Sequence, residues 1–171
     1  AGWHPSEYHW KSEVIDLLQI IEKKLPVFQQ TAGETLFDNY FLKNIDLIAE
    51  SISGTQDGFE DPRYERLTRL VIHGDYHPGN LKFKGNQVSG LFDFDWAKME
   101  TRCFDVAMAI YYFCTGWEIG VDGTVITDRL TTFLTTYQQA FPENPEINPM
   151  KPGELKFLPH MICAANICVL D

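Results

Sequence analysis

Apolar residues recur at helical spacing near the start of the chain, where Val14, Leu18, Ile21 and Leu25 form one stripe that Pro26 is expected to close. A second stripe, Phe37, Tyr40, Phe41, Ile45, Ile48 and Ile52, predicts one further helix ending near Ser53-Gly54. The polar stretch from Ser53 to Asp61 reads as a loop, and Pro62 as the start of a short helix through Arg69. The period then changes. Leu70-Val71-Ile72 is a compact apolar strand, and Leu81–Phe83 and Val88–Phe92 flank Lys84-Gly85-Asn86-Gln87 as a β-hairpin. Helical pattern returns from Phe104 to Cys114, then at Ile126, Leu130, Phe133, Tyr137 and Phe141. After a Pro-rich connection from Pro142 to Pro152, Leu155, Leu158, Ile162, Ala165 and Val169 predict a last helix. The fold class is α+β and mainly helical: two helices, a small β-hairpin region, then three helices.

The segment between the first strand and the hairpin, His73-Gly74-Asp75-Tyr76-His77-Pro78-Gly79-Asn80, holds Gly and Pro that exclude a helix. It sets Asp75 five residues before Asn80, and Asp93 follows thirteen residues later in Phe92-Asp93-Phe94-Asp95. Phosphoryl transfer from a nucleotide needs such groups, namely a carboxylate to orient and deprotonate a hydroxyl and oxygen ligands for magnesium on the phosphates. Asp75 fits the first role as the catalytic residue, Asn80 and Asp93 the second as metal ligands. Each also has a plain structural reading: a turn Asp, a turn-capping Asn, a strand-end carboxylate. Local capping alone leaves the three spacings unexplained. Asp95 stands open between helping the metal, contacting substrate and capping the next segment.

The order His-x-Asp-x-x-x-x-Asn, then Asp-Phe, is that of the kinase catalytic loop and metal-binding strand end. With HGDYHPGN and FDFDWA, the stretch from Leu70 to Ala109 resembles the aminoglycoside phosphotransferase and choline kinase-like family of small-molecule kinases. The resemblance implies the helical, C-terminal lobe of a protein-kinase-like fold, spanning residues 1–171, with ATP (GTP in some relatives) and Mg2+ as cofactors. It makes His73 a brace of the loop and Asp105 the acceptor of loop amides, with a helix N-cap as its plain alternative. His77 falls where many protein kinases carry a lysine near the γ-phosphate, which implies a phosphate contact; a turn histidine is the alternative. The N-terminal nucleotide-binding lobe is expected to be absent from the chain. Neither GxGxxG nor GxxxxGK[ST] occurs, and Thr31-Ala32-Gly33-Glu34 offers a single Gly. A chain that starts at Ala1 without Met and stops at Asp171 after an apolar run is expected to be a piece of a longer protein, inactive alone.

Composition narrows the partners. The 171 residues are 44% hydrophobic and 13% aromatic, enough for one domain with a sizeable core. Fourteen basic against twenty-four acidic residues give a net charge of −10, which argues against nucleic acid or an anionic membrane as partner. A small-molecule hydroxyl substrate, cationic by preference, suits that charge. No spanning apolar run and no leader pattern appear, and Cys103, Cys114, Cys163 and Cys168 lack metal spacing, so buried free thiols in a cytoplasmic protein are expected. Tyr111, Tyr112, Phe113 and Trp117 read first as core packing and second as a cage for an ammonium group. Only Phe94 to Arg102 separate Asp93 from the next helix, whereas a protein kinase spends roughly 20–30 residues on its peptide platform. Two other functions compete: a metal-dependent hydrolase built on His73, Asp75, His77 and Asp93, and a non-catalytic kinase-like binding module.

Overall fold

The computed structural model describes residues 10–33, 35–118, 123–140 and 148–169. Expectations that fall on Glu34, Phe141, the connection from Pro142 to Ile147 and the side chain of Val169 lie outside the described residues. Helix α1 (Trp10–Thr31) buries Trp10, Val14 and Leu18, one face at four-residue spacing. It does not stop at Pro26 as expected but runs five residues further. A proline removes one amide and kinks a helix without forbidding its continuation, and the last turn has something to pack on. The Phe28 ring lies 4.2 Å from Phe41 and 6.3 Å from Phe37.

The second expected helix is two. Helix α2 (Leu36–Lys43) opens with a capping box between Thr35 and Asp38 and ends at Asn44, whose side-chain amide donates to the Tyr40 carbonyl. Helix α3 (Ile45–Glu60) then continues straight through the expected loop at Ser53–Asp61. Its buried face there is Thr55 and Gly58 beside Ile52 and Phe59, small residues that carry little apolar signal. A Cβ on Gly58 would stand 2.7 Å from the His160 ring, and His160 Nδ1 bonds the Gly54 carbonyl at 2.8 Å, so α3 is pressed against the last helix. The short helix expected from Pro62 reduces to one 3-10 turn at Tyr64–Arg66, with Tyr64 buried edge-on against Phe59.

Strand β1 (Arg69–Ile72) pairs antiparallel with β4 (Lys98–Thr101), Ile72 opposite Lys98 and Arg69 opposite Thr101. Sequence pattern gives no sign of β4, because its buried residues are Lys98, Glu100 and Thr101. Glu100 takes Arg69 at 2.8 Å, and the Lys98 ammonium sits 4.4 Å from the Trp10 ring centre. Strands β2 (Leu81–Lys84) and β3 (Gln87–Leu91) form the expected hairpin, Gly85 taking the positive φ of 60° that its turn demands. Helix α4 (Cys103–Cys114) is buried on nearly every side to Ile110, α5 (Thr127–Gln139) lies half-buried against it, and α6 (Pro152–Val169) closes the core. The Phe104 ring stacks on Trp10 at 4.6 Å; burying such a side chain stabilises by about 1.5–3 kcal/mol. The molecule is mostly helical with two small antiparallel sheets, and none of its described helices is long and apolar enough to cross a membrane. All four cysteines are free; Cys103 and Cys114 are buried as expected, while Cys163 and Cys168 are only half-buried. Burial pushes the Cys103 thiol up to about 11, so it stays protonated.

Candidate active site

The loop from His73 to Asn80 leaves β1 at the edge of the core and returns into β2. Asp105, in the first turn of α4, holds its start: Oδ2 accepts the His73 amide at 2.7 Å and Oδ1 the Gly74 amide at 3.0 Å. Burial pushes the Asp105 carboxyl above its ordinary range, and the two amide bonds pull it back only in part. Gly74 has φ +80°, and any Cβ there would run into the Trp96 carbonyl, so this position needs glycine.

His73 is buried, and both of its ring nitrogens are occupied. Nε2 lies 2.7 Å from the Phe92 carbonyl, which can only accept, so Nε2 carries the proton and Nδ1 is left to accept the Asp75 amide at 3.3 Å. Phe92 is held from its other side as well, since its amide donates to the Asn80 carbonyl at 2.9 Å. The backbone just before Asp93 is thereby clamped between the two ends of the loop. Asp93 itself adopts φ +59°, a left-handed conformation that costs a non-glycine residue on the order of 1 kcal/mol.

Asn80 is buried, and its side-chain amide nitrogen donates twice, to the Asp75 carbonyl at 2.9 Å and to Asp75 Oδ2 at 3.0 Å. With the nitrogen so committed, the oxygen is what Asn80 can offer a cation. His77 caps the 3-10 turn at Pro78–Asn80 through Nδ1, which accepts the Gly79 amide at 3.0 Å. Its Nε2 stands 3.4 Å from Asp75 Oδ2, and the Tyr112 ring lies 5.5 Å from the imidazole. Asp95 is exposed at a corner of the turn closed by the Ala97 amide on the Phe94 carbonyl.

The loop thus knits Asp75, Asn80 and the approach to Asp93 into one hydrogen-bonded unit, with His73 and Asp105 behind it. Among the described residues, no group of three or more His, Cys, Asp or Glu is placed to hold a metal ion. The hydrolase reading loses its ligand set on that count, and His73 has no ring nitrogen to give. The aromatic residues at the end of α4 are half-buried: Tyr111 meets Tyr112 and Trp117 edge-on at 4.9 and 5.0 Å, and Phe113 leans on Tyr76 at 6.2 Å. Sequence reasoning did not single out Arg102 and Glu154, which tie α4 to α6 through a buried pair at 2.6 Å. Nor did it foresee Tyr112 beside His77.

The profile of the phosphotransferase enzyme family matches residues 45–140, more than half of the chain, and the chain belongs to that family. Among curated proteins it is 31% identical over 99 residues to a homoserine kinase of Janthinobacterium sp. (strain Marseille), covering 58% of this chain and 30% of that protein. It is 32% identical over 90 residues to the homoserine kinase of Methylobacillus glycogenes, covering 53% of this chain and 27% of that protein. The matched stretch is therefore under a third of either relative. No solved structure matches the chain.

Proposed function

We propose that this chain is the C-terminal catalytic lobe of a phosphotransferase that moves the γ-phosphoryl group of ATP to a hydroxyl of a small molecule. The observation that carries the reading is the Asn80 side chain bridged to Asp75 Oδ2 at 3.0 Å while the Asn80 carbonyl holds Phe92, one residue before Asp93. Asp75 orients the acceptor hydroxyl and takes its proton as the hydroxyl oxygen meets phosphorus. Positioning supplies most of the rate in this chemistry, which is why the loop is braced so heavily.

Asn80 and Asp93 fit a magnesium ion by chemistry, one amide oxygen and one carboxylate, with waters and phosphates completing the shell. Magnesium, when bound, neutralises charge on the phosphates. His73 and Asp105 fix the loop, and exposed Asp95 stands where it can serve metal or substrate. Phe83 and Val88, cross-strand partners each about half exposed, offer a face on which a preceding nucleotide-binding lobe would rest. Without that lobe the chain is inactive.

The short link between Asp93 and α4 leaves no room for a peptide platform, so the acceptor is a small alcohol, with homoserine, choline-like amino-alcohols and aminoglycosides as first candidates. The test is phosphorylation of a panel of these alcohols by the longer protein with magnesium and ATP, alongside a generic protein substrate. Transfer to one of the alcohols is expected. Transfer only to protein, or to nothing, overturns the reading.

A further inference from the structure

His77 stands beside Asp75, its Nε2 3.4 Å from Oδ2. Three features fix the imidazole. The Gly79 amide points at Nδ1 from 3.0 Å, which makes Nδ1 the acceptor and puts the proton of the neutral ring on Nε2. Gly79 has no Cβ, and one there would stand 2.7 Å from His77 Cε1, so a larger residue at 79 would push the ring from this place. The Tyr112 ring, 5.5 Å away and tilted by 44°, backs it from α4. In that pose Nε2 faces Asp75 Oδ2 at 3.4 Å, the same oxygen that accepts the Asn80 amide at 3.0 Å.

We propose that His77 is a positioning residue for Asp75. Together with Asn80 it engages Oδ2 and turns Oδ1 toward the acceptor, so that Oδ1 is the oxygen that receives the proton. The separation of 3.4 Å is long for a hydrogen bond and closes when substrate is bound, as catalytic contacts in empty sites commonly do. On transfer the hydroxyl O–H bond breaks and Oδ1–H forms, the hydroxyl oxygen bonds phosphorus, and the nucleoside diphosphate leaves. The imidazole keeps its own proton throughout. This rests on the catalytic reading of Asp75 but assigns His77 a different task from the phosphate contact that the family resemblance implies.

Two substitutions separate its two nitrogens. His77→Asn keeps an acceptor near the Nδ1 position and hence the cap on Gly79, while His77→Gln keeps a donor near the Nε2 position. In the longer protein, His77→Asn is expected to lower kcat about 10- to 100-fold with KM for ATP unchanged, and His77→Gln to recover most of the loss. In an Asp75→Asn background, His77→Asn should cost nothing further, because its effect passes through Asp75. A raised KM for ATP with kcat intact, or an undiminished loss in that background, makes His77 a phosphate contact and overturns the proposal. If Asp75→Asn alone leaves turnover intact, it is instead the reading of Asp75 that fails. The 171-residue chain gives a test free of turnover: nitrogen NMR of labelled histidine should find neutral His77 protonated on Nε2, and a proton on Nδ1 would contradict the geometry.

Discussion

Behind the loop from His73 to Asn80, Asp105 accepts two backbone amides, His73 spends both ring nitrogens, and Arg102 and Glu154 lock α4 to α6 in the core. In front of it, Asp93 and Asp95 are exposed, and Phe92, Phe94 and Trp96 leave 52%, 51% and 44% of their surface open. The rear is over-determined; the front is left accessible and, at Asp93, strained. Buried bracing and exposed carboxylates therefore lie on opposite sides of one short loop. Changes behind the loop should unfold the protein, and changes in front should disable it with little effect on folding.

The largest effect on stability is expected at Glu154. Glu154→Ala takes the carboxylate from the buried Arg102 guanidinium and leaves it to the Asn148 and Pro149 carbonyls, a loss of about 3–5 kcal/mol in urea unfolding of the chain. A loss under about 1 kcal/mol would mean the rear is not what holds the fold. The same pair gives a pH signature. Burial alone would raise the Glu154 carboxyl, but the Arg102 and Lys151 bonds outweigh it and hold it below the ordinary range. A carboxylate depressed in the folded state stabilises above its unfolded value, so this contribution is lost as pH falls through the lowered one. Stability in urea unfolding should accordingly begin to fall as pH enters the ordinary carboxylate range and keep falling until the lowered value is passed.

Gly74→Ala comes next, at about 2 kcal/mol or more, because a left-handed φ and the Trp96 carbonyl both oppose a Cβ. A thermal midpoint within about a degree of wild type would show that the loop gives way easily. Asp93→Gly should go the other way, stabilising the chain by about 0.5–1 kcal/mol as the left-handed strain is relieved. In the longer protein the same change should abolish magnesium-dependent ATP binding in calorimetry. Normal magnesium–ATP binding would remove Asp93 from the site. The smallest effect belongs to the hairpin, where Val88→Thr should stay within about 0.5 kcal/mol of wild type in chemical unfolding. A larger loss would show that the front is already packed.

The loop from His73 to Asn80 was legible from sequence because its residues are consecutive and its Gly and Pro exclude a helix. Asp75, Asn80 and the hairpin stand where the pattern put them. What escaped did so for physical reasons. Strand β4 buries a lysine, a glutamate and a threonine, the glutamate paired with Arg69 and the lysine set over the Trp10 ring, so no apolar alternation announces it. The second half of α3 buries Thr55 and Gly58, since close approach to His160 needs small residues. Arg102 and Glu154 lie 52 residues apart, beyond any local pattern. Pro26 was read as a stop because its local rule is strong, yet the contact of Phe28 with α2 outweighs one lost hydrogen bond.

The central claim, that Asp75 performs the chemistry on a scaffold that does not depend on it, is tested most directly by Asp75→Asn in the longer protein. Turnover on its small-alcohol acceptor and thermal midpoint should be measured on the same sample. The expected result is a fall in turnover of at least about 10²-fold with the midpoint unchanged within about 2 °C. Turnover within about threefold of wild type would contradict the account, and so would a loss of activity that merely tracks unfolding.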